Sequence, residues 1–161
     1  MTKDANNSEL LQELAALMTG HWLTDFANFA ALIYQRLPNL NWVGFYFANG
    51  DRLRLGPFYG LPACTDILFT RGVCGAAFSQ NKTMIVADVH TFPGHISCDP
   101  ASRSELVIPL QSQGEKFGVL DLDSPSIDRF KQSDAELLQE CCRILLAKIP
   151  AAHLQSKPWS S

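Results

Sequence analysis

No apolar stretch of the 161-residue chain approaches the roughly 18–20 residues needed to cross a bilayer. The first ten residues, MTKDANNSEL, are polar and contain no hydrophobic signal region. Lys and Arg form no run, and the formal net charge is -3, so neither nucleic acid nor an anionic membrane has an electrostatic hold on the chain. These absences predict a cytoplasmic protein with no membrane and no nucleic-acid partner. The close C-x2–4-C pairs typical of structural zinc sites are missing. The five cysteines are an odd number, which argues against a purely structural disulfide framework. No internal repeat or low-complexity segment occurs.

What is present is ordinary globular composition, 47% hydrophobic and 18% charged, enough for one domain with a sizeable core. The expected organisation is a single domain over 1–150 and a polar tail over 151–161. Leu10, Leu11, Leu14, Leu17 and Met18 follow a helical rhythm over 8–19, with Asn7 or Ser8 as cap and Gly20 as stop. A second helix is expected over 25–36, burying Phe26, Phe29, Ala30 and Ile33 and ending before Pro38. Strands are expected over 41–48 and 52–58, joined at the hairpin signal Asn49-Gly50-Asp51. A short helix over 72–80, a short strand over 84–88 and a long loop to about Ser104 come next. Strands over 105–110 and 116–123 precede a last helix from Ser133-x-x-Glu136, read as a capping box, to about Lys148. This order implies an α+β fold with a mainly antiparallel central sheet. Helices should pack on one face, and a loop-capped ligand pocket should lie on the other.

Strand parity sorts the side chains by face. Val43, Phe45 and Phe47 read as core. Trp42, Gly44 and Tyr46 face the other way, two amphipathic aromatics with a gap at the glycine. They either line a pocket or pack beneath a loop. On 116–123, Phe117, Val119, Asp121 and Asp123 share a face. The two aspartates are either solvated at a strand end or partly buried, where mutual repulsion would raise one pKa and create a general acid. Glu105 opens the preceding strand. Alone it reads as a solvated strand-end charge; beside the pair it would complete an acidic pocket suited to an ammonium group or to protonating an oxygen.

Three cysteines sit on separate connections: Cys64 in LPAC, Cys74 in RGVCG and Cys98 in GHISCDP. Cys74 falls at a predicted helix start, where the dipole favours a thiolate. Three thiols on adjacent loops point to redox chemistry. The alternative, zinc held by Cys64, Cys74, Cys98 and His95, is disfavoured by spacing. Cys141 and Cys142 lie on the last helix and read as core.

The segments NWVGFYF, GVCG, ADVHTFPGHISCD, SELVIPL and GVLDLDS, in this order, resemble the free methionine-(R)-sulfoxide reductases, enzymes built on a single GAF domain. The resemblance covers about residues 40–140. It implies that Cys98 attacks the sulfoxide and that Cys74 or Cys64 resolves the product. It implies that Trp42 and Tyr46 line the substrate pocket, and that Glu105, Asp121 and Asp123 hold the substrate. It further implies a sulfenic acid, an intramolecular disulfide, no bound cofactor, and thioredoxin or another dithiol as external reductant. Free methionine sulfoxide is then the small-molecule partner, and R-stereospecificity comes from the resemblance alone. Three carboxylates near Cys98 should raise its pKa, a tension that a protonated carboxyl would relieve. A non-catalytic GAF-type small-molecule or redox sensor is the rival reading. Trp22 and the first helix belong either to the core or to a homodimer surface.

Overall fold

The computed structural model describes residues 3–160, so residues 1, 2 and 161 of the expected boundaries lie outside the described residues. Helices α1 (Lys3–Leu17) and α2 (Trp22–Arg36) precede the hairpin β1 (Trp42–Asn49) and β2 (Arg52–Gly60). A three-residue strand β3 (Asp66–Leu68), helix α3 (Gly72–Gln80) and strand β4 (Met84–Val86) follow. Strands β5 (Ser104–Ser112) and β6 (Glu115–Ser124) and helices α4 (Gln132–Lys148) and α5 (Ala151–Gln155) complete the chain. The six strands form one sheet in the order β3-β2-β1-β6-β5-β4, and every neighbouring pair is antiparallel.

The apolar stripes decide which face is covered. Phe26, Phe29 and Ile33 of α2 are fully buried against Phe45 and Phe47 of β1. Phe26 meets Phe45 edge-to-face at 4.5 Å and 80°, the geometry that ring quadrupoles favour. Leu10, Leu14 and Met18 of α1 and Leu138, Cys141, Cys142 and Leu145 of α4 join this cluster. The expected core role of Cys141 and Cys142 is therefore met. On the opposite face a smaller cluster joins Trp42, Tyr46, Val107 and Val119 to Val73, Cys74 and Ala77 of α3.

Asp25 fixes the turn between α1 and α2. Fully buried, it accepts from the Thr19 N–H (2.8 Å), the Thr19 hydroxyl (2.7 Å) and the Gly20 N–H (2.7 Å). Gly20 has φ +90°, and a Cβ there would lie 3.0 Å from the Lys148 carbonyl oxygen. Glycine serves both the conformation and the close approach.

Several expectations require correction. Helix α1 starts at Lys3, ahead of the expected caps Asn7 and Ser8, and Leu17 lies outside the buried stripe at 37% exposure. Helix α4 starts at Gln132, and Asp134 accepts from the Lys131 N–H at 2.8 Å, so the cap lies two residues earlier than Ser133-x-x-Glu136. Phe117 does not share a face with Val119: it packs with Phe47 in the helix-covered core. The register steps from Leu110↔Gly118 to Gln111↔Lys116. Phe117 is thus the extra residue of a bulge, and beyond it parity inverts.

The chain from residue 151 is also not simply a tail. Pro150 is the N-cap of α5, where its missing N–H costs no helical hydrogen bond. Trp159 then returns to stack on Phe47 at 4.4 Å and 19°, donating its indole N–H to the Ala48 carbonyl at 3.1 Å. A large amphipathic ring outweighs the polar residues around it.

Candidate active site

Pairing register assembles the acidic cluster. Glu105 stands opposite Asp123 across β5 and β6, and Asp121 stands opposite Val107 on one side and Gly44 on the other. Trp42 of β1 lies opposite Asp123. All three carboxylates line a cavity of about 40 Å³, as do Trp42, Tyr46, Cys74, His95 and Cys98. At about 10–15 Å³ per water position, that is room for about three waters. Glu105 and Asp121 are each only 6% exposed, which rules out the solvated alternative for both.

Two buried carboxyl groups beside a half-buried third resist full ionisation. Burial pushes Glu105 well above the ordinary carboxyl range, reinforced by Asp121 and Asp123. Burial, then the charges of Asp121 and Asp99, does the same to Asp123. Asp121 is raised by burial to about 6, its rise restrained by hydrogen bonds with Glu105 and Cys74. The shifts favour a protonated carboxyl in this cluster, Glu105 above all, next to an Asp121 Oδ1 that is buried without a partner.

The cysteines divide. Cys64 and Cys98 are joined in a disulfide, with Cα atoms 5.4 Å apart, and both are half-buried. Cys74 is a free, buried thiol, 3.8 Å from Glu105 Oε1 and placed to donate to it. It is the third residue of α3, but the dipole expected to favour its thiolate loses. Burial, then Asp121, Glu105 and Asp123, pushes the thiol well above its ordinary value. The four-ligand zinc set is not assembled, because two of its members are bonded to each other. Among the described residues, the groups close enough to share a cation are Cys74, Glu105 and Asp121, not His95. Burial lowers the His95 pKa, with His90 adding to the effect, so this wall of the cavity is neutral at pH 7.

Trp42 and Tyr46 satisfy both of their alternatives. Their rings line the cavity, and their polar ends hold the segment above it. The Trp42 indole donates to the Leu61 carbonyl at 3.1 Å, and the Tyr46 hydroxyl donates to the Cys64 carbonyl at 2.9 Å. Burial raises the Tyr46 phenol far above its usual pKa, and Asp121 adds to it, so Tyr46 remains a donor. Gly44 leaves no empty gap, contrary to expectation. A Cβ there would lie 2.4 Å from both the Trp42 ring edge and Phe58 Cβ, so the indole already fills that space.

Sequence reasoning passed over three polar residues here. Asp99 and Ser102 line the cavity, and Asn41 hydrogen-bonds to both. The one available signal was a polar Asn at the head of an apolar strand.

A central antiparallel sheet, helices behind it and a loop-capped cavity in front define a GAF domain, and the GAF domain family model matches residues 8–147. A free methionine-R-sulfoxide reductase of Escherichia coli (strain K12) is 44% identical over 142 residues, 87% of this chain and 86% of that protein. One of Saccharomyces cerevisiae is 35% identical over 158 residues, 89% of this chain and 88% of that protein. The X-ray structure of the free methionine-R-sulfoxide reductase from Neisseria meningitidis in complex with its substrate superposes with a TM-score of 0.89. It is 39% identical, covering 95% of this chain and 93% of that one. The chain belongs to the free methionine-R-sulfoxide reductase family of GAF domains. Among the described residues no helix is long and apolar enough to cross a membrane.

Proposed function

We propose that the protein reduces free L-methionine-(R)-sulfoxide to L-methionine, with Cys98 as nucleophile, Cys64 as resolving thiol and a cytoplasmic dithiol protein such as thioredoxin as reductant. The observation that carries this reading is the Cys64–Cys98 disulfide set at a cavity lined by three carboxyl groups. A redox pair and a proton source meet there.

The roles follow from the chemistry of each group. The substrate ammonium is held by the charge of Asp121, the least raised of the three carboxyl groups, with Glu105 and Asp123 beside it, and its compact methyl-sulfinyl end lies against Trp42 and Tyr46. Gly72, Val73 and Cys74 at the start of α3 also line the cavity. Their N–H groups suit the substrate carboxylate, for which the cavity offers no Lys or Arg. A proton held on Glu105, whose pKa burial raises, passes to the sulfoxide oxygen. The Cys98 sulfur attacks the substrate sulfur; methionine leaves, and the oxygen stays on Cys98 as a sulfenic acid. The Cys64 thiol condenses with it, releasing water and forming the disulfide. An external dithiol then restores both thiols by exchange and is itself oxidised to a disulfide.

This arrangement answers the electrostatic tension around Cys98, because the cluster carries a bound proton rather than three charges. It leaves Cys74 as a hydrogen-bond donor to Glu105, since a thiol of such high pKa attacks poorly. A closed pocket presenting both an ammonium and a carboxylate subsite selects the free amino acid over a peptide.

The test is to incubate the reduced protein with free L-methionine-(R)- and (S)-sulfoxide and dithiothreitol or thioredoxin, and to quantify methionine, with Cys98→Ser in parallel. Turnover of the R epimer alone, lost in the variant, is expected. No methionine from either epimer with thiols confirmed reduced would overturn the enzyme reading in favour of a GAF-type sensor.

A further inference from the structure

Asn41 stands just before β1. Its backbone N–H donates to the Asp123 carbonyl at 3.0 Å, adding a rung to the β1–β6 ladder, so the sheet fixes the residue. Its side chain reaches across to the loop that carries Cys98. Nδ2 donates to Asp99 Oδ2 at 2.9 Å and to Ser102 Oγ at 3.0 Å. Asp99 follows Cys98 directly in the chain. Its other carboxylate oxygen accepts from the Ala101 N–H at 2.8 Å, and its carbonyl accepts from the Ser102 N–H at 3.1 Å. Residues 99–102 therefore form a closed turn that Asn41 grips at two points. Both gripped residues face the cavity, and Ser102 is buried.

The grip leaves a polar atom unpaired. Asn41 Oδ1 is buried with no partner among the described residues, while the amide nitrogen serves two acceptors on the turn. An unpaired buried acceptor is destabilising. A residue whose only contribution was packing would have no such atom.

We propose that Asn41 is a positioning residue for Cys98: its amide ties the turn beside Cys98 to the sheet and sets how readily Cys98 meets Cys64 and the substrate. The inference rests on the reading of Cys98 and Cys64 as the reacting pair. Reduction removes the covalent tether between residues 64 and 98 in every cycle. At the Cys98 end, the Asn41 bonds then connect the loop to a strand held by its own ladder to β6. The carboxyl groups assigned to the substrate ammonium lie on β5 and β6 and the N–H groups assigned to its carboxylate on α3, none on this loop, so loss of the grip affects the sulfur chemistry more than binding.

The experiment equilibrates the full-length protein in glutathione redox buffers and measures, by thiol trapping, the effective concentration of Cys64 toward Cys98. In this exchange two glutathiones are oxidised to their disulfide as the protein disulfide is reduced to two thiols. Asn41→Ala is expected to lower the effective concentration about tenfold, the scale of a lost hydrogen bond to a charged acceptor. Ser126→Ala, which removes the nearby Asn39 Nδ2–Ser126 Oγ bond of 2.7 Å, is expected to leave it unchanged. Single-turnover methionine formation by the pre-reduced Asn41→Ala protein should slow by a similar factor, with half-saturation within about twofold of the parent. An unchanged effective concentration in Asn41→Ala, or an equal fall in Ser126→Ala, overturns the proposal. Should Asn41→Ala fail to fold, Ser102→Ala removes one grip and leaves the Asn41 backbone rung. A fall of about threefold supports the proposal, and no fall overturns it. This readout needs no methionine sulfoxide: a protein that shows the shift without releasing methionine retains the grip and loses the reductase reading.

Discussion

Glu105 and Asp123 face each other as direct cross-strand partners on β5 and β6, two acidic side chains at a position where like charges destabilise a sheet. The pairing persists because burial keeps protons on the cluster, and a stored proton is what reduction of a sulfoxide consumes.

The first prediction concerns pH. The Asp121 carboxyl lies at about 6 in the folded protein against 3.8 ordinarily. A raised carboxyl pKa means the folded state binds more protons than the unfolded chain between these values. Its contribution to stability is therefore full below about 4 and is lost as pH rises through about 6. Urea midpoints of the parent should fall between pH 4 and 7, and those of Asp121→Asn, whose amide carries no titrating proton, should fall less. Identical midpoint slopes in the two proteins would remove Asp121 as the source.

Cysteine replacements should separate the two candidate resolving thiols. Cys64→Ser should release about one methionine per chain and then stall with dithiol protein as reductant. Cys74→Ser should still form the 64–98 disulfide, seen by peptide mass spectrometry, and keep turnover within about tenfold of the parent. A 74–98 disulfide as the main product in the unmodified protein would reverse this assignment.

Gly44→Ala tests the pocket wall. Its new Cβ would sit 2.4 Å from the Trp42 ring, so the indole must shift, which costs about 1–3 kcal/mol for an overpacked site. Because that ring also donates to Leu61, KM for free methionine sulfoxide should rise by at least about fivefold while the thiols remain trappable. Unchanged KM would show that the indole does not contact the substrate.

The segment after residue 150 should prove integral to the domain. Trp159→Ala removes the ring stacked on Phe47 and should cost about 2–4 kcal/mol in denaturant unfolding, the range for a large aromatic truncated in a partly buried setting. The cavity is on the opposite sheet face, so kcat at 25 °C should change less than twofold.

Much of this architecture is legible in the sequence. The stripe of Phe26, Phe29, Ala30 and Ile33 and the alternation of Val43, Phe45 and Phe47 state which face each element buries. Helix α3 falls at 72–80 as its pattern indicates. The failures share a cause: they depend on partners distant in the chain. The bulge at Phe117 is set by the count of residues on β5. Strand β3, three residues long, is too short for any period to show. Trp159 finds Ala48 only once the sheet exists. In the site, side-chain type and parity brought Glu105, Asp121 and Asp123 under suspicion, but their protonation is a property of the assembled cavity. The reversal at Cys74 shows the same limit: a local dipole was readable, and the three carboxyl groups that overrule it come from β5 and β6.

Trp42 and Tyr46 each present a ring to the cavity and a donor to the segment that carries Cys64. On the proposed mechanism, the surface that meets the ligand and the segment that carries the resolving thiol are thus one mechanical part. On that mechanism, variation that widens the pocket for another sulfoxide also detunes recycling, and specificity and turnover are adjusted together.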